Sequence, residues 1–541
     1  MSRTPDSERR AIAPPAAPDM DTADPRRWWI LLVLCLSLVV ITLDNTILNV
    51  ALPRLSDDLG ASNSQLQWIV DSYTLVFAGL LLTAGSLGDR FGRKGALQIG
   101  LVVFAFGSAL SALVTDPVQL IAARAVMGVG GAFIMPSTLS LLTNVFPEQE
   151  RGRAIGVWAG VSALGVGIGP LLGGFLVERV SWHAVFTVNL PIAALAIAAG
   201  AWLIPTSRDP EAPPLDLPGA GLSIAGLWVA IYTVIEAPAY GWVSSRIIGG
   251  CVAAVLLIGL FFWREVTAEF PMLDLSFFRN PRFSAACLAV TLVFFAMFGF
   301  SFLLTQYFQF VLGYDAAAAG IRMLPLALTV MVVAPLSARL VEWLGTKAVV
   351  ASGLLILTVG LALHVDLTAE SSYPDVAWRM VLAAIGIALT LAPSTESIMG
   401  SLPLAKTGVG SAVNDTTRQI GGGIGIAILG SVLSSVYGGK VDALFGTARG
   451  VSAADVVASR NSLGSALDVA DRVSLAAPDV GDGLARGAKD AFVAAMRAGA
   501  LVAAGVAAVA ALIVFKWLPA RVPSVAGIRP QSGPIPATEP V

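Results

Sequence analysis

Fourteen long apolar runs set the terms on which this chain can fold. They lie at roughly 28–52, 65–86, 95–114, 118–143, 153–177, 184–204, 218–236, 246–264, 283–310, 317–341, 347–366, 377–400, 408–436 and 492–517. About 20 apolar residues at ~1.5 Å rise cross the ~30 Å hydrocarbon core of a bilayer. In that core every backbone N–H and C=O must find a partner inside the protein, and a single run does so as an α-helix. Composition agrees: 56% of the 541 residues are hydrophobic and 13% are charged, against about 25% charged in soluble domains. The expectation is an all-α integral membrane protein of 14 transmembrane helices whose first partner is the lipid bilayer. A net charge of −2 gives no reason to expect nucleic acid. Cys35, Cys251 and Cys287 sit in apolar runs as packed or lipid-facing thiols, and His183 and His364 are the only histidines, so no metal site is expected. Met1–Pro25 is Pro-rich, polar and charged, and does not read as a cleavable signal.

An even number of spans puts both ends on one side. Arg26, Arg27, Arg90, Arg93, Lys94, Arg151, Arg153, Arg208, Arg264, Arg279, Arg282, Arg339, Lys347, Lys406, Lys516 and Arg521 fall on that side. The short loops opposite carry only Arg54, Arg179, Arg246, Arg322 and Arg379. The positive-inside rule therefore places both termini in the cytoplasm. Residues 437–491, rich in Gly, Ala, Ser and Asp, read as a long external loop, and the tails 1–27 and 521–541 as disordered.

The chain repeats itself. Leu59-Gly60 recurs as Leu312-Gly313, and Asp89, Gly92 and Lys94 match Glu342, Gly345 and Lys347, all at an offset of 253. Pro136-Ser137-Thr138 returns as Pro393-Ser394-Thr395, and Gly165, Gly167, Gly169 and Gly174 line up with Gly421, Gly423, Gly425 and Gly430. Shared order at a near-constant offset indicates duplication. The offset exceeds the length of six spans by enough for two more. The architecture is then 6+2+6: a first half at 28–204, a two-helix insert with linkers at 205–282 and a second half at 283–520.

Charges inside the apolar runs are the candidate functional residues. A carboxylate at mid-span costs roughly 2.5–3.5 kcal/mol on insertion scales, so an intramembrane acid points to function. Asp44 lies in the first run, Asp71 about six residues into the second, and Arg124 about six residues, ~9 Å, into the fourth. Depth alone puts the three in one layer, where an Arg⁺ and desolvation act on a carboxylate in opposite senses, a workable device for proton coupling. The plainer readings are that Arg124 snorkels to the interface and that Asp71 touches water. Asp415 and Arg418, at i and i+3, can pair with each other, and Glu396 is expected to be wetted at the cytoplasmic interface. Asp415 and Asp71, with Trp158, Phe298 and Gln306, are candidate contacts for a greasy cationic guest through charge, stacking and amide hydrogen bonds. Lipid-facing packing accounts for the aromatic residues equally well. At the offset of 253 Asp44 falls on Met297, which assigns proton coupling mainly to the first half.

Three motifs carry a resemblance. Gly85-Ser86-Leu87-Gly88-Asp89-Arg90-Phe91-Gly92-Arg93-Lys94 resembles the signature loop of the major facilitator superfamily, G-x-L-A-D-R-x-G-R-K, departing from it at Gly88. Arg124-Ala125-Val126-Met127-Gly128 resembles the superfamily's R-x-x-x-G motif. Gly165 through Gly174, with Gly169, Pro170 and Gly173, resembles the antiporter motif of drug exporters, G-x-x-x-G-P-x-x-G-G, although glycines at such spacings also serve generic helix packing. With Leu43–Pro53, Ile69-Val70-Asp71, Ser181-Trp182-His183 and the two-helix insert, these motifs resemble the fourteen-helix drug:proton antiporters, quaternary-ammonium and multidrug exporters among them.

The resemblance implies the major facilitator fold in the cell's inner (plasma) membrane and a monomer that works by alternating access. It also implies export of drug-like small molecules in exchange for protons, with the proton gradient as energy source and no cofactor. In that family the acid at Asp89 latches the two halves together by facing a helix N-terminus of the second half, with Gly85, Arg90, Gly92, Arg93 and Lys94 completing the motif. Relatives that handle dications carry several acids where this chain has Asn414, Asp415, Arg418 and Gln419, which argues against specificity for dications. Two other readings stand beside it: a dedicated exporter of one self-made antibiotic or metabolite, and a membrane-embedded enzyme or receptor. The enzyme lacks a nucleophile–base pair, and no G-x-x-x-x-G-K-[ST] loop is present for ATP.

Overall fold

The computed structural model describes residues 24–61, 63–207, 216–241, 243–448 and 450–519. The two tails lie mostly outside those residues, and the first helix is already under way at Arg27. Among the described residues, 14 helices are long and apolar enough to cross a membrane. In the first half these are α1 (Arg27–Leu59), α2 (Asn63–Phe91), α3 (Arg93–Ser111), α4 (Pro117–Val145) and α5 (Glu148–Arg179). A sixth span is made jointly by α6 (Ala184–Thr187) and α7 (Asn189–Leu203). The insert is α8 (Leu217–Tyr240) and α9 (Ser245–Thr267). The second half holds α10 (Pro281–Gln306), α11 (Ala316–Leu344), α12 (Thr346–Ala362), α13 (Tyr373–Met399), α14 (Thr407–Phe445) and, after the short α15 (Ala453–Asn461) and α16 (Leu463–Ser474), α17 (Pro478–Trp517).

The duplication is visible in the backbone. Gly60 and Gly313 both have positive φ, 62° and 73°, and so do Gly92 and Gly345, at 114° and 81°. These are the tight turns after the first and second spans of each half, and a side chain there is strained. Close crossings repeat as well. A Cβ on Gly100 of α3 would meet Gly130 O of α4 at 2.9 Å, and one on Gly353 of α12 would meet Gly386 O of α13 at 3.0 Å. The halves face each other along two seams, α5 against α11 and α2 against α14. The insert packs through α8 onto α2 and α14.

The expected external loop at 437–491 is helical instead. α14 runs on to Phe445, α17 starts at Pro478, and α15 and α16 fill the connection. Ser452 and Asp455 form a capping box that starts α15, Tyr437 Oη donates to Ser459 O at 3.1 Å, and Arg460 pairs with Asp442 at 3.3 Å. Leu463, Ala466, Val469 and Ala470 form the buried face of α16. Glycine and aspartate lowered the apolar signal here, while this helical period persisted.

Candidate functional site

Asp44 is wholly buried in α1, and its hydrogen-bond donors come from two other helices. Arg124 of α4 donates through Nη1 to Asp44 Oδ2. Asn189, at the start of α7, donates through Nδ2 to Oδ1 at 3.2 Å and to Ser108 Oγ of α3 at 3.2 Å. Arg124 Nε donates to the Ile69 carbonyl of α2 at 3.2 Å, and its guanidinium lies 4.5 Å from the Tyr73 ring centroid. Arg124 is only 1% exposed, so it does not snorkel. An acid and a base that would each be expensive alone in an apolar interior hold each other there. Asn189 and Tyr73 escaped the sequence reading. The signal for Asn189 was available: an amide interrupting the apolar run at Val188-Asn189-Leu190.

Asp71 does not join this group. Its depth matches, since Arg124 reaches Ile69 O two residues earlier. Its direction differs: Ser72 Oγ bonds Ile121 O of α4, whereas Asp71, about 100° away around the helix, is half-buried beside Gln67 and within electrostatic reach of Glu236 of α8. Trp68, one turn before it, stacks on Tyr232 of α8 at 6.2 Å. Asp71 therefore faces the insert.

In the second half Asp415 and Arg418 of α14 do not form the ion pair that their spacing allows. Asp415 is 1% exposed, takes one hydrogen bond from Asn414 Nδ2 at 3.3 Å, and leaves Oδ2 without a partner. Arg418 turns toward Trp158 of α5, 4.8 Å from its ring centroid, and toward Phe294 of α10 at 5.3 Å. Its Nη2 donates to Thr395 Oγ1 at 3.2 Å. Trp158, fully buried, donates its indole N–H to Thr138 Oγ1 at 3.2 Å. Phe298 is partly exposed and lies 5.5 Å from Phe294. The Gln306 amide is turned back onto Phe302 O at 3.4 Å. Glu396, expected to be wetted, is half-buried in an ion pair with Arg282 at 3.2 Å.

The turn between α2 and α3 bridges the halves. Asp89 accepts the backbone N–H groups of Gly408 and Val409 at 2.9 and 3.0 Å, the first turn of α14. That helix has no side-chain cap of its own at Lys406, so Asp89 supplies the negative end its N-terminus favours. Arg93 donates to Asp89 at 2.7 Å and to the carbonyls of Leu404 and Ala405, each at 2.8 Å. Gly85 allows the approach: a Cβ there would lie 2.6 Å from Gly408 O. Lys94 bonds Ala201 O within its own half at 2.7 Å, and Arg90 lies over Phe91 at 5.2 Å. With these contacts in place the basic face is shut between α2 and α14.

Helix α5 carries glycine on two sides. Gly165, Gly169 and Gly173 meet Thr42, Thr46 and Ile47 of α1, while Gly156 and Gly160 meet Pro335 and Met331 of α11, at 2.6 and 2.8 Å from a built Cβ. Gly174 faces Ala317 at 3.6 Å, and Pro170 packs on Gly320. One helix is thus wedged between the element that carries Asp44 and the opposite half.

Known proteins are similar to this chain in sequence and in fold. The family pattern of the Major Facilitator Superfamily covers residues 34–426. The multidrug efflux pump LfrA of Mycolicibacterium smegmatis is 34% identical over 451 residues, 83% of this chain and 88% of that one. The tetracenomycin C resistance and export protein of Streptomyces glaucescens is 34% identical over 414 residues, 76% of this chain and 77% of that one. Among solved structures, the human organic anion transporter MFSD10 shares the fold with a TM-score of 0.57 at 15% identity, across 91% of this chain and all of that one.

Proposed function

This chain belongs to the major facilitator superfamily, and from that premise we propose that it exports lipophilic toxic compounds, cationic or neutral, in exchange for protons. It works as a monomer by alternating access about a mid-membrane cavity between the halves, driven by the proton gradient without a bound cofactor. The face carrying the α2–α3 turn is cytoplasmic, with both termini on that side of the cell's inner membrane; the basic residues gathered there support this. The halves are 28–204 and 283–520, with 205–282 between them.

The observation that carries the coupled reading is the buried Asp44–Arg124 pair with Asn189. Proton coupling needs an acid whose partner can be exchanged, and Asp44 sits on α1, against the glycine face of α5. Thr42 and Thr46 face α5 from the side of α1 away from Asp44, so movement of α5 between α1 and α11 reaches Asp44 by displacing α1, and can exchange Arg124 for a proton. Asp89 and Arg93 latch the cytoplasmic side. Asp71, Asp415, Trp158, Phe298 and Gln306 contribute to the guest site, with Asp71 reached from the side of the insert. Relatives named for efflux and resistance support a drug-like cargo. Dye efflux from cells expressing the protein, measured with and without an uncoupler, tests the proposal. Efflux should stop with the uncoupler, and no efflux of any dye would contradict it. The tetracenomycin relative favours a second reading, export of a single self-made compound. Protection against one scaffold alone in a resistance panel would select it.

A further inference from the structure

Arg418 and Asp415 stand at the spacing where opposite charges pair on a helix, yet each keeps an unpartnered buried atom, Nε and Oδ2. Arg418 reaches across to the first half instead, onto Trp158. The two ends of that contact are held alike. Thr138 fixes the Trp158 ring, and Thr395, its counterpart in the second Pro-Ser-Thr run, receives Arg418. The repeat relates the two holders: 257 residues separate Thr138 from Thr395, while the glycine register of α5 and α14, offset by 256, sets Trp158 opposite Asn414, the neighbour of Asp415. One half offers Arg418 a ring face, and its own helix offers a carboxylate.

We propose that Arg418 is a mobile counter-ion that positions the gate. With the cytoplasmic side shut, it rests on Trp158 and leaves Asp415 Oδ2 without a hydrogen-bond partner, the guanidinium staying within electrostatic reach but unbonded to it. When the halves part, Trp158 withdraws with α5, and Arg418 turns back to Asp415 on its own helix. A buried carboxylate oxygen without a hydrogen-bond donor is unfavourable, so Trp158 stabilises the shut state and Asp415 the open one. The inference rests on the alternating-access reading but on no particular cargo.

The test reads the gate directly. In a chain with Cys35, Cys251 and Cys287 replaced by serine, cysteines are introduced as Gly152→Cys on α5 and Ala338→Cys on α11. A Cβ on Gly152 lies 3.4 Å from Ala338 Cβ, within disulfide reach when the gate is shut. Copper-phenanthroline cross-linking is then followed in membranes without substrate. Trp158→Ala should slow it roughly thirty-fold, the worth of a desolvated cation–π contact, and Trp158→Phe should restore most of the rate. Asp415→Asn should speed it, and should have no effect once Arg418→Gln is present. Shifts of the same sign for Trp158→Ala and Asp415→Asn, or no shift in either, would overturn the proposal. Asp415→Asn is isosteric, so that arm reads the gate even if Trp158→Ala fails to fold. With no cargo present, failure here leaves the export proposal standing.

Discussion

Replacing Asp89 by alanine should open the cytoplasmic face. The change removes both acceptors of the Gly408 and Val409 N–H groups and leaves Arg93, 2% exposed, without its carboxylate. A lost helix cap costs about 0.5–2 kcal/mol, and a hydrogen bond to a charged group about 1.5–3 kcal/mol. The freed N–H groups regain water once the halves part, so the net lies near 2–3 kcal/mol, a ~30- to ~150-fold fall in the shut-to-open ratio. Spin labels at Gly95, whose side-chain position is open, and at Trp343, 75% exposed, sit on this face in opposite halves. Double electron–electron resonance on the purified protein should show a single short distance for the parent and a longer, dominant one for Asp89→Ala, with Asp89→Asn between them. If Asp89→Ala keeps the parent's distribution, the carboxylate is not what shuts the gate.

Other consequences follow from the same contacts. Asn189→Ala leaves Asp44 Oδ1 without its donor, at a cost of about 1–3 kcal/mol, and should lower the apparent Tm of the purified protein, whereas Lys94→Ala, which loses one exposed bond to Ala201 O, should not. Gly169→Ala drives a methyl into Thr46 Oγ1, with Thr46 Cβ at 2.8 Å; overpacking of this kind costs typically 1–3 kcal/mol, and transport should fall, with partial recovery in Gly169→Ala/Thr46→Ala. Outside the membrane, hydrogen bonds from the Ser452 hydroxyl and backbone hold the Asp455 carboxyl below its usual range. Its contribution to α15 is therefore present above the unfolded carboxylate pKa of about 4 and is lost as pH falls through the lower folded value. Amide exchange in 453–461 should rise at the acid end, and Asp455→Asn should abolish that dependence.

The fold was legible because the bilayer permits so few solutions: uninterrupted apolar length fixes a helix, and the positive-φ glycines at 60, 92, 313 and 345 mark turns that the repeat had already aligned. Depth was legible too, since a rise of ~1.5 Å per residue needs no tertiary knowledge. Direction around a helix was not. An all-round apolar helix carries little amphipathic signal, so nothing in the sequence separated Asp71, which faces α8, from Tyr73, which faces Arg124. The partner of Arg418 was left open for a related reason. The local rule at i, i+3 was sound, but Trp158, more than 250 positions away, took the guanidinium. The helices at 453–474 were hidden by composition, because small and acidic residues there resemble a solvated loop until their buried stripe is counted.

The central claim is that Asp44, held by Arg124 and Asn189, couples transport to protons. It is tested most directly in proteoliposomes with a reconstituted dye cargo and an imposed pH gradient, comparing the parent with Asp44→Asn. The asparagine keeps the shape but cannot exchange a proton. The account predicts that Asp44→Asn loses uphill accumulation while still equilibrating dye down its own gradient. Uphill, gradient-driven transport by Asp44→Asn at the parent's rate would contradict it.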